Sequence, residues 1–122
     1  VAMEYEHNTA EDIAKLLDRR ETGQRLYRQA LENAGVDFML YPSSPATAPE
    51  LAEDGTTKHL GQRVDAFTLH TSHAHLAGVL GFPAASVQIA SSGLPVGIDV
   101  AGNFDDDRRV LAFADKLSVE LI

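Results

Sequence analysis

The 122 residues carry ten basic against eighteen acidic side chains, a net charge of −8, and no cysteine. This length suits one compact domain able to bury a core. The acidic balance, with no Lys/Arg cluster to offset it, excludes a basic nucleic-acid-binding face and electrostatic adhesion to anionic membranes. Absence of cysteine removes disulfides, thiolate zinc sites and cysteine nucleophiles, and fits a cytoplasmic protein. No apolar run approaches the roughly 20 residues of a membrane span, and the amino terminus does not read as a signal peptide. The chain opens on Val1 and stops at "LSVELI" without a capping signal. Both a trimmed product and a piece of a longer polypeptide fit those ends.

Residues 1–35 read as a helical lead-in. Asn8-Thr9 precedes "AEDIAKLLDRRETGQRLYRQALENAG", and Thr9 with Asp12 has the spacing of a capping box, the acidic first turn suiting the positive helix end. Ile13, Leu16 and Leu17 form one apolar stripe, and Tyr27, Ala30, Leu31 and Ala34 another. Gly23 either separates two helices or weakens one, and Gly35 ends the run as a left-handed cap.

The remainder, 36–122, reads as strand, loop, helix, hairpin, helix. "VDFMLY", 36–41, is apolar without alternation, as expected of a central strand covered on both faces in a parallel arrangement. "PSSPATAPE", 42–50, holds three prolines and is predicted to be irregular. The polar stretch 51–64 suggests a surface loop or loose hairpin. Asp65 then caps a predicted helix through about Leu80, with Phe67, Ala74, Ala77 and Leu80 as core contacts and Gly78 marking weakness or close packing. "PAASVQIA", 83–90, is a strand, Ser91-Ser92-Gly93 a turn, and "LPVGIDVAG" the returning strand. In that strand Val96, Ile98 and Val100 alternate with Gly97, Asp99 and Ala101. Asp105, Asp106 and Asp107 open the last helix, whose apolar positions are Val110, Leu111, Ala114, Leu117 and Leu121. Helix, glycine and buried strand in succession is the grammar of an α/β fold with flanking helices. So few strands leave sheet edges open.

Several residues invite chemistry. Three adjacent aspartates suggest a hard cation, yet the glycine and glutamate spacing of a calcium loop is missing and helix-start carboxylates complement the dipole. His70 and His73 share a helix face at i and i+3 and raise a zinc reading, but His75 points elsewhere and no carboxylate stands at a suitable offset. Ordinary partly buried histidines, or one histidine in a substrate pocket, fit better. Ser43-Ser44 and Ser91-Ser92 are serine pairs without a nucleophile elbow, lying between prolines and in a hairpin turn where serine is ordinary. No phosphate-binding or dinucleotide fingerprint occurs.

Four passages, "AGVDFMLYPSSPATAPEL", "LAGVLGFPAASVQIA", "GLPVGIDVAG" and "NFDDDRRVLAFADKL", together resemble the carboxy-terminal part of an amidase-signature hydrolase, over about four-fifths of the chain. The wording of the last leans toward indoleacetamide and mandelamide hydrolases. The resemblance implies a mixed α/β sheet and hydrolysis of a carboxamide through a serine acyl-enzyme, with no metal and no organic cofactor. It also implies a small-molecule amide as substrate and, as partner, the missing catalytic portion or another copy of the chain. The family's serine, cis-serine and lysine signature is not found here, since Lys15, Lys58 and Lys116 lack the matching context, so no catalytic residue is assigned. Asp99 stands where Gln or Glu is common, and Asn103 where a basic residue is common. The family's substrate-contacting segment falls on 68–75, which makes Thr71, Ser72, His73 and His75 the candidate substrate-binding residues. The alternative is a self-contained, non-catalytic binding or interaction module.

Overall fold

The computed structural model describes residues 8–51, 54–89 and 93–121. Helix α1 spans Ala10–Ala34 and is defined at both ends by its sequence. Asp12 N donates to Thr9 Oγ1 at 3.2 Å while Thr9 N donates to Asp12 Oδ2 at 3.0 Å, the reciprocal capping box expected. The Thr9 bonds hold the Asp12 carboxyl below its usual range. Gly35, at φ 64°, closes the helix, its N–H reaching Glu32 O. Gly23 neither divides nor merely weakens α1. A Cβ there would stand 2.7 Å from Leu80 Cδ2, so the glycine lets another helix approach. Only the second apolar stripe is used, through Tyr27 and Leu31. Ile13, Leu16 and Leu17 remain 46, 53 and 57 % exposed.

Strand β1, Met39–Pro42, begins later than expected and is not the central strand of the described sheet. It pairs antiparallel with β5, Val96–Ala101, which in turn pairs antiparallel with β4, Ala84–Ile89, giving the order β1-β5-β4. The central strand is therefore β5, and β1 is flanked on one side only among the described residues. Val36 and Leu40 are about half exposed, while Phe38 stacks on Phe113 at 4.8 Å. Between β1 and the helices, β2 (Thr56–His59) and β3 (Gln62–Asp65) form a separate hairpin. Its two-residue turn, Leu60-Gly61, has φ of 49° and 81°, both positive as a type I′ turn demands. This is the loose hairpin that the polar composition allowed.

Asp65 caps the following helix through Thr68 N at 2.7 Å, but the helix does not run on to Leu80. It splits into α2, Ala66–Thr71, and α3, His75–Leu80. Thr71 Oγ1 donates to Phe67 O and Ser72 Oγ to Leu69 O, each at 2.8 Å, drawing carbonyls away from the helical ladder. Of the expected core contacts, Leu80 is buried and Ala77 half-buried, whereas Phe67 and Ala74 are exposed. Helix α4, Asp107–Leu121, follows a turn containing Asp105 at φ 64°. Its Val110 and Ala114 are buried, Leu117 is half-buried and Leu111 is exposed, while the Leu121 side chain lies outside the description.

The α/β class with flanking helices follows from how β5 is covered. Val100, fully buried, packs with Val87, Val110 and Ala114 on the α4 side. Ala101, 1 % exposed, packs on the opposite face with Tyr27, Leu31, Leu80 and Phe82. Arg20 Nε and Gln24 Nε2 donate to the carbonyls of Val79 and Leu80 at 2.7 and 2.6 Å, so α1 satisfies the terminal carbonyls of α3.

Candidate functional site

Alternation along β5 separates two kinds of surface. Asp99 shares its face with Ala101, and cross-strand register sets it opposite Tyr41 on β1 and Ser86 on β4. Ser43 continues β1 by one further bond, its N–H donating to Gly97 O at 2.9 Å. The Ala101 end of this face is covered by α1 and α3, and the Asp99 end is polar. There Ser43 Oγ and Ser86 Oγ both donate to Asp99 Oδ1, the latter at 2.6 Å. Gly97 makes the first contact possible, because a Cβ would lie 2.8 Å from Ser43 Oγ.

Two histidines fasten the start of the proline-rich loop. Ser44 Oγ lies 2.9 Å from His70 Nδ1. His73 Nδ1 lies 3.0 Å from the Pro42 carbonyl, which can only accept, so His73 carries its proton on Nδ1. The i, i+3 spacing does bring His70 and His73 to one side, but toward the loop. No group of three potential ligands able to hold a metal occurs among the described residues.

Ser72 and His73 line an apolar depression of about 270 Å³ together with Met39, Tyr41 and Leu76. Thr71 is half-buried and committed to the Phe67 carbonyl, and His75 is exposed at the start of α3. Neither lines the depression, so the four candidates divide into two on it and two beside it. Burial first, and the charge of Asp99 second, raise the pKa of the Tyr41 hydroxyl. A larger hollow along α1 is lined by charged and polar side chains including Arg20, Glu21, Arg25 and Arg28, without groups converging on a point.

Neither described serine site has the parts of a nucleophilic centre. Ser44 has a histidine, yet the far nitrogen of that histidine, His70 Nε2, is buried and bonded to nothing among the described residues. A relay needs a third group there to orient the ring. Ser43 and Ser86 face a carboxylate and no imidazole. Ser91-Ser92 lie outside the described residues. What the arrangement offers is an apolar depression with a hydrogen-bonded carboxylate on the same sheet face. The Asp99 cluster escaped the sequence reading. Its signal was a lone carboxylate on the inward phase of an otherwise apolar or small strand, whereas the Ser44–His70 contact joins residues 26 apart that no local pattern links.

Comparison with known proteins gives a consistent picture. The Amidase family model matches residues 2–111. An indoleacetamide hydrolase of Rhizobium radiobacter is 28% identical over 96 residues, 77% of this chain and 21% of that protein. One from Allorhizobium ampelinum is 33% identical over 88 residues, 70% of this chain and 19% of that protein. A crystal structure of an amidase superposes with a TM-score of 0.81 at 28% identity, over 94% of this chain and 26% of that one. The chain thus spans about a fifth of the length of the curated relatives it matches.

Proposed function

The chain belongs to the amidase family, and from that premise we propose that it is the carboxy-terminal segment of an amidase-type serine hydrolase that cleaves carboxamide bonds. The observation carrying this reading is the family match over 2–111 joined to a fold that superposes over nearly the whole chain. In the reaction, a serine supplied by the remainder of the domain attacks the amide carbonyl, releases the amine and leaves an acyl-enzyme for water to hydrolyse. Backbone donors stabilise the oxyanion. This segment contributes scaffold and one wall of the substrate pocket, at Thr71, Ser72, His73 and His75. It holds no member of the serine, cis-serine and lysine set. Its partner is the portion of the domain that carries that set, and its exposed apolar stripe on α1 and the outer edge of β1 are the surfaces for it. The apolar lining by Met39, Tyr41 and Leu76 favours amides with an aryl or alkyl acyl group, in line with indoleacetamide-type substrates. No described helix is long and apolar enough to cross a membrane, and with the cysteine-free composition we place the protein in the cytoplasm.

The test is ammonia release from phenylacetamide by the purified chain, alone and mixed with the complementary amino-terminal part of a family amidase. No turnover alone and turnover on mixing is the expected result. Saturable hydrolysis by the chain alone overturns the division of labour. A monomer that neither binds amides nor complements supports the self-contained binding module instead.

A further inference from the structure

Among the described residues, Asp99 is held by its neighbours at one oxygen only. Both serine hydroxyls go to Oδ1, and Oδ2 has no hydrogen bond to the described residues. The carboxylate is half-buried, yet the ion pairs among the described residues join Lys15 to Glu11, Arg63 to Asp54, and Arg109 to Asp37 and Asp106. None includes Asp99. A partly desolvated carboxylate without a counter-charge is costly to leave so. Two donors on one oxygen restrain the group and leave the other oxygen without a donor among the described residues.

Beside it stands Tyr41, paired across the strands with Asp99 and also forming part of the apolar depression. Cross-strand neighbours on one face lie within about 5.5 Å at Cβ. Apolar volume, an aromatic ring and an oriented anion therefore follow one another along a single sheet face. The depression, about 270 Å³, exceeds the roughly 150 Å³ that accommodates benzene in an engineered core. A hydrocarbon body ending in a cation fits this order, through ring contact, cation–π attraction and a charge-assisted hydrogen bond.

We propose that Asp99 is a specificity-determining residue that selects carboxamides carrying a protonated amine on their acyl part, with Ser43, Ser86 and Gly97 positioning it. The proposal rests on the amidase reading above and narrows its substrate class. A neutral amide leaves Oδ2 to water; an ammonium replaces that water with a charged donor.

The experiment is an NMR titration of the full chain with phenylalaninamide, below the pKa of its amine, and with 3-phenylpropanamide, which has the same frame without the amine. Phenylalaninamide is expected to bind about tenfold tighter, the scale of one hydrogen bond between charged groups. Both amides should shift the amides of Met39, Tyr41 and His73, and only the cationic one those of Asp99 and Ser86. Asp99→Asn should bring the two affinities together. In the unmodified chain, added salt should narrow the gap by weakening only the cationic ligand. Equal affinities, a gap indifferent to salt, or a preference that survives in Asp99→Asn overturns the proposal. If 3-phenylpropanamide binds the depression without any such preference, the amidase reading stands and this inference falls. If neither ligand binds, this inference falls together with the pocket-wall role of the segment, while family membership stands on the match over 2–111.

Discussion

Tyr27 ties the long first helix to the sheet, and removing its hydroxyl measures that tie. The residue is 5 % exposed, its ring stacks on Phe82 at 4.2 Å, and its hydroxyl donates to the Gly102 carbonyl at 3.2 Å. Tyr27→Phe keeps the stack and deletes one hydrogen bond. The expected cost is about 1 kcal/mol, or a fall in Tm of about 4 °C for a domain of this size. Tyr27→Ala removes the ring as well and should cost about 3–5 kcal/mol. Urea unfolding followed by helical circular dichroism separates the two. The pH dependence supplies an independent check. Burial first, and Tyr41 second, push the Tyr27 hydroxyl from 10.0 up to about 12. The folded state therefore holds this proton more tightly than the unfolded state. Stability from Tyr27 is complete below pH 10 and is lost as pH climbs toward about 12. Tyr41 is raised too, so Tyr27→Phe should flatten this alkaline decline without abolishing it. A Phe variant as unstable as the Ala variant, or an unmodified chain whose stability stays level across that range, refutes the reasoning.

Val100→Ala removes two methyl groups from a fully buried site and should lower unfolding free energy by about 2–3 kcal/mol in the same assay. Gly97→Ala places a Cβ 2.8 Å from Ser43 Oγ; a cost of about 1–3 kcal/mol from overpacking is expected, with the Ser43 amide signal displaced. The isolated chain should self-associate through the half-exposed Ile13, Leu16 and Leu17 stripe, and light scattering should show Leu16→Asp shifting it toward monomer with little change in helix content. Thr9→Ala should cost about 1 kcal/mol. Because the Asp12 pKa is lowered by its bonds to Thr9, this contribution is present above the ordinary carboxyl range and fades as pH falls through the folded value, a fading that Thr9→Ala should lack.

Where structure depends on neighbours a few residues apart, the sequence was readable. Thr9 with Asp12, Gly35 and the Asp65 cap act within one turn, and their chemistry leaves few alternatives. The apolar run 36–41 reports burial and not position in a sheet, and among the described residues its strand has a neighbour on one side only. Phe38 finds its cover in Phe113 and Met39 in the α1 cluster, without a strand on each side. The break between α2 and α3 turns on which carbonyls Thr71 and Ser72 take, a choice that periodicity does not register. Among the candidate residues, Ser72 and His73 border the depression, whereas Thr71 and His75 do not. The Asp99 contacts depend on the register of three strands and lay beyond any local rule.

The position of β5 also orders assembly in time. Leu40 pairs with Val100, sixty positions downstream, while Val87 pairs with Ile98, only eleven away. Loop closure grows costlier with length, by about 0.6 kcal/mol per doubling, so the β4–β5 hairpin can form early and β1 must wait to join it. Until β5 leaves the ribosome, neither β1 nor β4 has the strand that each pairs with among the described residues. A synthesis arrested before Val96 would therefore yield a chain without this sheet, its Met39–Pro42 segment left for chaperones or for other chains to find.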